Sequence, residues 1–320
     1  NQGWSSKKNS EKATAKAKCT VNKNITLYAV QKKAVQLTFH RCDGSTWQKT
    51  TLAKGSSYSL PGVRDAEGYT FMGWSTKPMQ SVSPQYEAEE KITVNGNVDL
   101  YAVVFNRTTE TDLTEDQLPQ VDIYKYKQVI FVGDSRTEFM ENVLTGMGES
   151  ATKNVKFVCS AGKGLDWFTT TGWAQLYSIV QHDSNSILSK KTAVIFNFGV
   201  NDLSKSADYA EYYNWIAPQL KSKGCELYFM SVNPVNRLML PNAGRADRSE
   251  AAVRSFNQYM KANLPSAYTY IDMYSYLKST GYSFASDHYG TGTVDDGLHY
   301  TTRTYKRIFA KCMDSLRVPA

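Results

Sequence analysis

The sequence predicts an α/β protein: a five-stranded parallel sheet in a three-layer α/β/α sandwich, preceded by a smaller β-rich region. Apolar runs alternate with helical patterns over residues 126–320. Short alternating strands without a long helical pattern fill residues 35–106, and one sequence pattern recurs after 73 residues. At 320 residues the chain is long for a single domain, so two or more units are expected.

The N-terminal third contains an internal repeat. The stretch "NKNITLYAV" at residues 22–30 recurs as "NGNVDLYAV" at residues 95–103, and the strands "VQLTFHRC" and "YTFMGWST" lie between them. We therefore expect a Lys-rich segment with the tail of a truncated preceding repeat in residues 1–34, and one complete copy in residues 35–106. Residues 107–125 are polar and acidic with one Pro, which predicts a linker.

The net charge of +7 comes from one end of the chain. Residues 1–33 hold eight Lys and one Glu, and the remainder is neutral overall. This distribution indicates a solvated approach segment or, alternatively, attraction to an anionic wall or membrane surface, and gives no basic patch for nucleic acid. No apolar run approaches the roughly 18 residues of a membrane span.

The cysteine pattern predicts neither a zinc site nor a disulfide framework, because the five cysteines are scattered and lack CxxC spacing. Cys159 and Cys225 lie in apolar runs and are expected to act as small buried hydrophobes. The chain starts at Asn without a charged and apolar leader, so a signal peptide is expected upstream.

Five apolar runs predict the parallel strands of the larger region, and helical patterns separate them. The strands are expected at 127–133, 155–158, 193–199, 226–232 and 268–271, and the helices at 137–147, 165–181, 207–222, 248–263 and 302–316. In such sheets the chemistry gathers in the loops beyond the carboxyl ends of the strands. Those loops carry glycines or small polar residues here: Gly133, Asp134, Ser135, Gly162, Gly164, Asn201, Asp202 and Asn233, with Asp296 and His299 before the last helix.

The blocks G-D-S, G-x-N-D and D-x-x-H resemble those of the SGNH (GDSL-type) serine hydrolases, in the family's order. The resemblance covers residues 126–320 and implies a flavodoxin-like sheet, with Ser135 as nucleophile, His299 as general base and Asp296 orienting His299. It also implies three oxyanion donors: the Ser135 amide, a glycine amide of the second block and the Asn201 side chain. No metal or organic cofactor is implied.

These residue types suit acyl transfer. A serine hydroxyl is a weak nucleophile until an imidazole takes its proton, and a carboxylate on the far nitrogen holds that imidazole in the required tautomer. Asp296 lies three residues before His299, so one short turn delivers both groups. An Asn amide donates to an oxyanion without adding a charge.

Several neighbouring residues have alternative interpretations. Asp134 is expected to hold the turn, Asp202 to cap the next helix, and Asp295 is a weaker alternative to Asp296 as the orienting acid. Spacing from the strand favours Gly164 over Gly162 as the oxyanion donor. The candidate substrate-binding residues are Arg136, which alternatively pairs with a helix carboxylate, and Gly162, Trp167, Asn233 and His288.

The fragment "GYTFMGW" followed by "ITVNGNVDLYAVV" resembles the Listeria–Bacteroides repeat of bacterial surface proteins. This resemblance implies a small β-grasp-like module on secreted or wall-associated proteins, with Trp74, Tyr69 and Tyr101 as core aromatics. Together the two resemblances predict an extracellular or cell-surface serine esterase acting on a carbohydrate or cell-wall polymer. The alternatives are a lipase or thioesterase of the same family, or a non-catalytic adhesion protein.

Overall fold

The computed structural model describes residues 3–10, 12–14, 20, 22–122, 125–182, 191–243, 245–287 and 294–316. The strands are β1 (Gly3–Ser5), β2 (Tyr28–Val30), β3 (Ala34–His40), β4 (Thr46–Ala53), β5 (Ser56–Ser59), β6 (Tyr69–Ser75), β7 (Lys91–Val94), β8 (Val98–Asn106), β9 (Tyr126–Gly133), β10 (Val155–Cys159), β11 (Lys191–Asn197), β12 (Cys225–Met230), β13 (Tyr268–Ile271), β14 (Phe284–Asp287) and β15 (Val294–Tyr300). The α-helices are α1 (Ser135–Met147), α2 (Leu165–Trp167), α3 (Trp173–His182), α4 (Ser206–Lys221), α5 (Glu250–Asn263), α6 (Met273–Thr280) and α7 (Thr302–Ser315).

The main sheet is parallel and has the strand order β10-β9-β11-β12-β13. The first strand of this sheet along the chain, β9, lies between β10 and β11. The connections that leave β9 and β10 therefore run to opposite sides of β9, which creates a crevice at the carboxyl end of β9. Each predicted strand boundary lies within two residues of the observed one. The α/β prediction is confirmed.

Helices cover both faces of this sheet. Successive residues of β9 point to opposite faces, so β9 contributes apolar side chains to the core on each side. Ile130 and Val132 pack in one hydrophobic cluster with residues of α3, α4 and α5. Val129 and Phe131 pack in a second cluster with residues of α1, α6 and α7. The sheet is buried between two helical layers, as its continuous apolar strands predict.

Three elements of this α/β region do not follow from the sequence patterns: one helix and two strands. Helix α6 is short and follows β13 directly, so no loop signal marks it. Strands β14 and β15 pair antiparallel outside the main sheet. Strand β15 contains the polar motif "DDGLH", whose sequence pattern does not predict a strand. The predicted helix at 165–181 is observed as α2 and α3 joined by a π-helical turn at Phe168–Gly172.

The repeat region (residues 35–106) is β-rich, as predicted, and residues 34–106 contain no α-helix. Its four-stranded sheet has the order β4-β3-β8-β6, with a parallel central pair β3 and β8. Strands β5 and β7 form a second, two-stranded sheet. The small core contains residues from both sheets and is centred on the buried rings of Phe39 and Trp74, 4.8 Å apart.

The segment between the two regions is packed against the α/β region. Leu118 and Val121 are buried in the same cluster as Phe131. Glu110 is buried and accepts hydrogen bonds from Arg307 (3.0 Å) and from the hydroxyl of Thr304. The polar composition predicted a linker, but paired acids and scattered apolar residues attach much of this segment to the protein surface.

Two further sequence expectations concern cysteines and membranes. Cys225 is buried as expected, whereas Cys159 is only half-buried and donates to Glu141 at 3.2 Å, so it is not a simple core hydrophobe. Among the described residues, no helix combines the length and apolar character that crossing a bilayer requires.

Candidate active site

Ser135 lies at the point where the central strand β9 turns into helix α1. The N-cap of α1 is Asp134, whose carboxylate accepts the backbone N–H of Arg136 at 3.0 Å. Because Asp134 provides this cap, the hydroxyl of Ser135 is not used for it. Burial raises the pKa of Asp134 to about 6. The expected turn-holding role of Asp134 agrees with this geometry.

The structure brings Ser135, His299 and Asp296 together into one chain of hydrogen bonds. Ser135 Oγ lies 2.8 Å from His299 Nε2, and His299 Nδ1 lies 2.5 Å from Asp296 Oδ2. All three residues are buried. With the proton on Nδ1 donated to the carboxylate, Nε2 is left to accept the serine proton.

Asp296 is held by its own turn. Its Oδ1 accepts the backbone N–H groups of Leu298 and His299, each at 2.7 Å. Burial opposes ionisation of this carboxyl, but the hydrogen bond and electrostatic attraction from the His299 ring N–H, together with the two backbone donors, outweigh burial and lower its pKa. Asp296 is therefore ready to accept from the imidazole as a carboxylate.

A cavity of about 420 Å³ opens over these residues, within the usual size range of small-ligand sites. Its lining includes Ser135, His299, Gly162 and Asn201. Three groups that the sequence analysis missed also line it, namely Phe139, Arg245 and Arg248. The exposed ring of Phe139 stacks on the imidazole of His299 with centroids 4.5 Å apart. Its position four residues after Ser135, on the same helix face, was the available signal.

Asn201 is fixed by contacts on both ends of its amide. Its Nδ2 donates to the Lys163 carbonyl at 2.8 Å, and its Oδ1 accepts from Arg248 at 2.7 Å. Arg248 is itself fixed by the carbonyls of Val200 and Ala246. Since Nδ2 carries two N–H groups, one remains for a ligand in the cavity.

The structure reverses the order of the two candidate glycines. Gly162 lines the cavity, whereas Gly164 packs against Asp202, where a Cβ would lie 2.3 Å from a carboxylate oxygen. Gly164 is thus required for close packing, and Gly162 is the better placed candidate donor. Asp202 does not cap α4, contrary to expectation; it accepts the backbone N–H of Leu165 at 2.8 Å and so caps α2.

Three candidate substrate-binding residues do not line the cavity, and a fourth lies outside the described residues. Arg136 is buried and donates to the carbonyls of Asn233, Pro234 and Leu298 at 2.9–3.0 Å, so neither a substrate nor a helix carboxylate occupies it. Asn233 is buried, and Trp167 is half-buried against a core cluster. The fourth, His288, receives no structural test.

Asp295 does not orient His299. Its carboxylate lies 2.6 Å from the Arg107 guanidinium, and Asp296 occupies the position beside the imidazole. The choice of Asp296 over Asp295 therefore agrees with the geometry.

Comparisons with known proteins agree with both sequence resemblances. Residues 129–312 match the family model of the GDSL-like lipase/acylhydrolases, and residues 36–103 match that of the Listeria-Bacteroides repeat domain. A search of curated proteins finds no significant match.

Solved structures that resemble the chain include three proteins of low sequence identity. A Bacteroides fragilis protein described as an acylhydrolase is 17% identical, with a TM-score of 0.38 over 63% of this chain and 92% of its own. A Slackia heliotrinireducens protein described as an SGNH hydrolase is 13% identical, with a TM-score of 0.41 over 60% and 100%. The catalytic domain of peptidoglycan O-acetyltransferase A from Streptococcus pneumoniae is 16% identical, with a TM-score of 0.35 over 60% and 92%.

Proposed function

The chain belongs to the GDSL-like lipase/acylhydrolase family and is an ester-hydrolysing enzyme, and we propose that it is a cell-surface serine esterase. Its proposed substrate is an acetyl or other short acyl ester on a carbohydrate or cell-wall polymer. The observation that carries the catalytic part of the proposal is the hydrogen-bonded chain from Ser135 through His299 to Asp296.

The proposed reaction begins when His299 Nε2 takes the proton of Ser135 as its Oγ attacks the acyl carbonyl carbon. The oxyanion formed on the carbonyl oxygen accepts hydrogen bonds from the Ser135 amide, the Gly162 amide and the Asn201 side chain. His299 then protonates the leaving alcohol, and the acyl group remains on Ser135. In the second half, His299 activates a water that releases the acid and restores the serine hydroxyl.

Several charged and polar side chains in the cavity lining support a hydrophilic substrate. Arg245, Arg248, Asn201 and Ser286 bring cationic and polar side chains next to the nucleophile. A long acyl chain would bury these charged and polar side chains against apolar surface, which is costly. A polysaccharide offers hydroxyl and acidic groups to the same side chains.

The surface location is supported by the repeat region, because the Listeria-Bacteroides repeat is a surface-associated type of domain. The eight Lys of residues 1–33 would add attraction to an anionic wall polymer.

The proposal is tested by reacting the full chain and its Ser135→Ala variant with a fluorophosphonate probe and with acetyl to long-chain acyl esters. We expect probe labelling and turnover of short acyl esters by the unaltered protein only. Ser222→Ala removes an exposed hydroxyl outside the cavity lining and should keep both activities. Absence of labelling and turnover in the unaltered protein would rule out the serine esterase, and a preference for long chains would rule out the proposed substrate class.

A further inference from the structure

The repeat region is bound to the α/β region through buried polar contacts. Lys278 of helix α6 is buried and donates to the carbonyl of Met72 at 2.7 Å, with the carboxylate of Glu87 also at 2.7 Å. Phe105 packs so closely against Gly281 that a Cβ there would lie 2.2 Å from the ring. A buried cation paired across a boundary is costly to separate, so the two regions are held in one arrangement.

One of these contacts reaches the residue beside the candidate triad acid. Arg107 follows the last strand of the repeat region and donates to the Thr70 hydroxyl at 2.9 Å and to Asp65 at 2.7 Å. The same guanidinium lies 2.6 Å from Asp295, the immediate neighbour of Asp296. Arg107 thus joins strand β6 and the loop at Asp65 to the start of the "DDGLH" turn.

A second contact reaches the residue on the other side of Asp296. Asn236 Nδ2 donates to the Val63 carbonyl at 3.0 Å and to Asp65 at 2.9 Å, both in the repeat region. The backbone N–H of Asn236 donates to the carbonyl of Gly297 at 2.9 Å. Gly297 has a φ of +68°, and a Cβ there would lie 2.5 Å from the Asn236 carbonyl oxygen. This close backbone contact leaves the turn little room to move.

We propose that the repeat region holds the turn that carries Asp296 and His299 in its catalytic position, and that Arg107 is a positioning residue for these two side chains. Both neighbours of Asp296 are tied to the repeat region, one directly through Arg107 and one through Asn236. The repeat region therefore sets where the base of the triad lies, in addition to any role in surface attachment. The inference rests on the proposed function, because it concerns the acid and base of that reaction.

The effect expected from loosening this contact is kinetic. A displacement of a reacting group by about 1 Å can reduce the rate roughly a hundredfold. The side-chain partners of Arg107 among the described residues are Thr70, Asp65 and Asp295, and none of these lines the cavity. Loss of Arg107 should therefore lower kcat and leave KM nearly unchanged. Asp295→Asn keeps the size of the side chain and removes the charge that Arg107 binds, so it tests the same contact from the other side.

The experiment compares Arg107→Gln, Asp295→Asn and the double variant in the full chain, using a short acyl ester well below each melting temperature. We expect each single variant to lose about ten- to a hundredfold in kcat, and the double variant to be no worse than the poorer single one. Fluorophosphonate labelling should slow by a similar factor. The control is Arg254→Gln, which removes a 2.8 Å contact to the carbonyl of Ala88 at the same boundary but far along the chain from the Asp296 turn. It should keep kcat.

Three results would overturn the inference: unchanged kcat in folded Asp295→Asn and Arg107→Gln, an equal loss in Arg254→Gln, or losses that simply multiply in the double variant. Should Arg107→Gln fail to fold, Asp295→Asn decides alone, since it changes the same contact while keeping the size of the side chain. Inactivity of the unaltered protein would instead contradict the proposed function, and Ser135→Ala measured in parallel separates that outcome.

Discussion

The two sides of the candidate triad are held by different parts of the protein. Ser135 begins helix α1 directly after the central strand β9 and is fixed by the α/β region alone. Asp296 and His299 lie on β15, outside the main sheet, on a turn whose neighbouring residues contact the repeat region. One side of the site is thus part of the sheet's own crevice, and the other depends on a second region for support.

Each side also has a buried acid beside it, and the two acids differ in their environment. Asp134 receives the Arg136 N–H within a buried turn, and burial raises its pKa to about 6. Asp296 is buried too, but the imidazole and two backbone N–H groups stabilise its charge and lower its pKa. Both acids are buried, so the hydrogen bonds and electrostatic attraction from His299 and the two backbone donors account for the opposite direction of the Asp296 pKa shift.

The largest effect is expected on the base side. Asp296→Asn keeps the shape of the side chain but removes the charge that holds the imidazole tautomer, so kcat should fall by about 10⁴-fold, as in other serine triads. Steady-state kinetics with a short acyl ester measure this. Asp166→Asn, which alters an exposed carboxylate paired with Lys205, is the matched control and should be neutral. A loss of less than tenfold in Asp296→Asn would show that Asp296 is not the orienting acid.

An intermediate effect is expected at the candidate oxyanion donor. Asn201→Ala removes one donor and should lower kcat about 10²- to 10³-fold with little change in KM. Arg248→Met frees the Asn201 amide to rotate and should cost less, on the order of tenfold. Because Arg248 acts through Asn201, adding Arg248→Met to Asn201→Ala should cost nothing more in kcat. A full multiplicative loss of kcat in the double variant would mean that Arg248 does not act through Asn201.

The smallest effect on activity is expected for Asp134→Asn. This substitution should instead change how the free energy of unfolding depends on pH. Asp134→Asn keeps an acceptor for the Arg136 N–H, so the cap and kcat should be largely retained. The native carboxyl binds a proton up to about pH 6 and the unfolded one only up to its usual pKa of 3.8. The unaltered protein therefore loses stability from this group as the pH rises between these values.

This prediction is measured as the difference in unfolding free energy between the unaltered protein and Asp134→Asn. The difference should shift against the unaltered protein by roughly 2 kcal/mol between pH 4 and pH 7, because each unit of pKa shift is about 1.4 kcal/mol and the ends of the titration lie outside this window. Chemical denaturation at several pH values gives the curve. A difference that is independent of pH would show that Asp134 has an ordinary pKa and that its burial is offset by its partners.

Much of the fold and the centre of the site were predictable because they depend on local patterns. The five apolar runs and the helices between them predicted the α/β sandwich, and the repeated "LYAV" pattern located the β-rich region. The strand-end blocks predicted that Ser135, Asn201, Asp296 and His299 would converge on one cavity, since parallel strands end at the same edge.

Predictions about individual side chains failed where the partner is distant in the chain. Arg136 was a candidate substrate ligand, but the carbonyls it binds are about 100 and 160 residues away. Spacing from the strand favours Gly164 over Gly162, yet Asp202 fills the space beside Gly164. Trp167 and Asn233 lie in suitable loops, but their side chains pack in or beside the core.

The sequence alone determined the class of the fold, the order of the regions and the chemical groups of the site, because periodicity and strand-end residues are local properties of the chain. Tertiary structure alone decided which glycine faces the cavity, what Arg136, Arg248 and Asp202 bind, and how Arg107 joins the repeat region to the Asp295–Gly297 turn. These are contacts between segments far apart in sequence, and their geometry follows from packing, which no local pattern specifies.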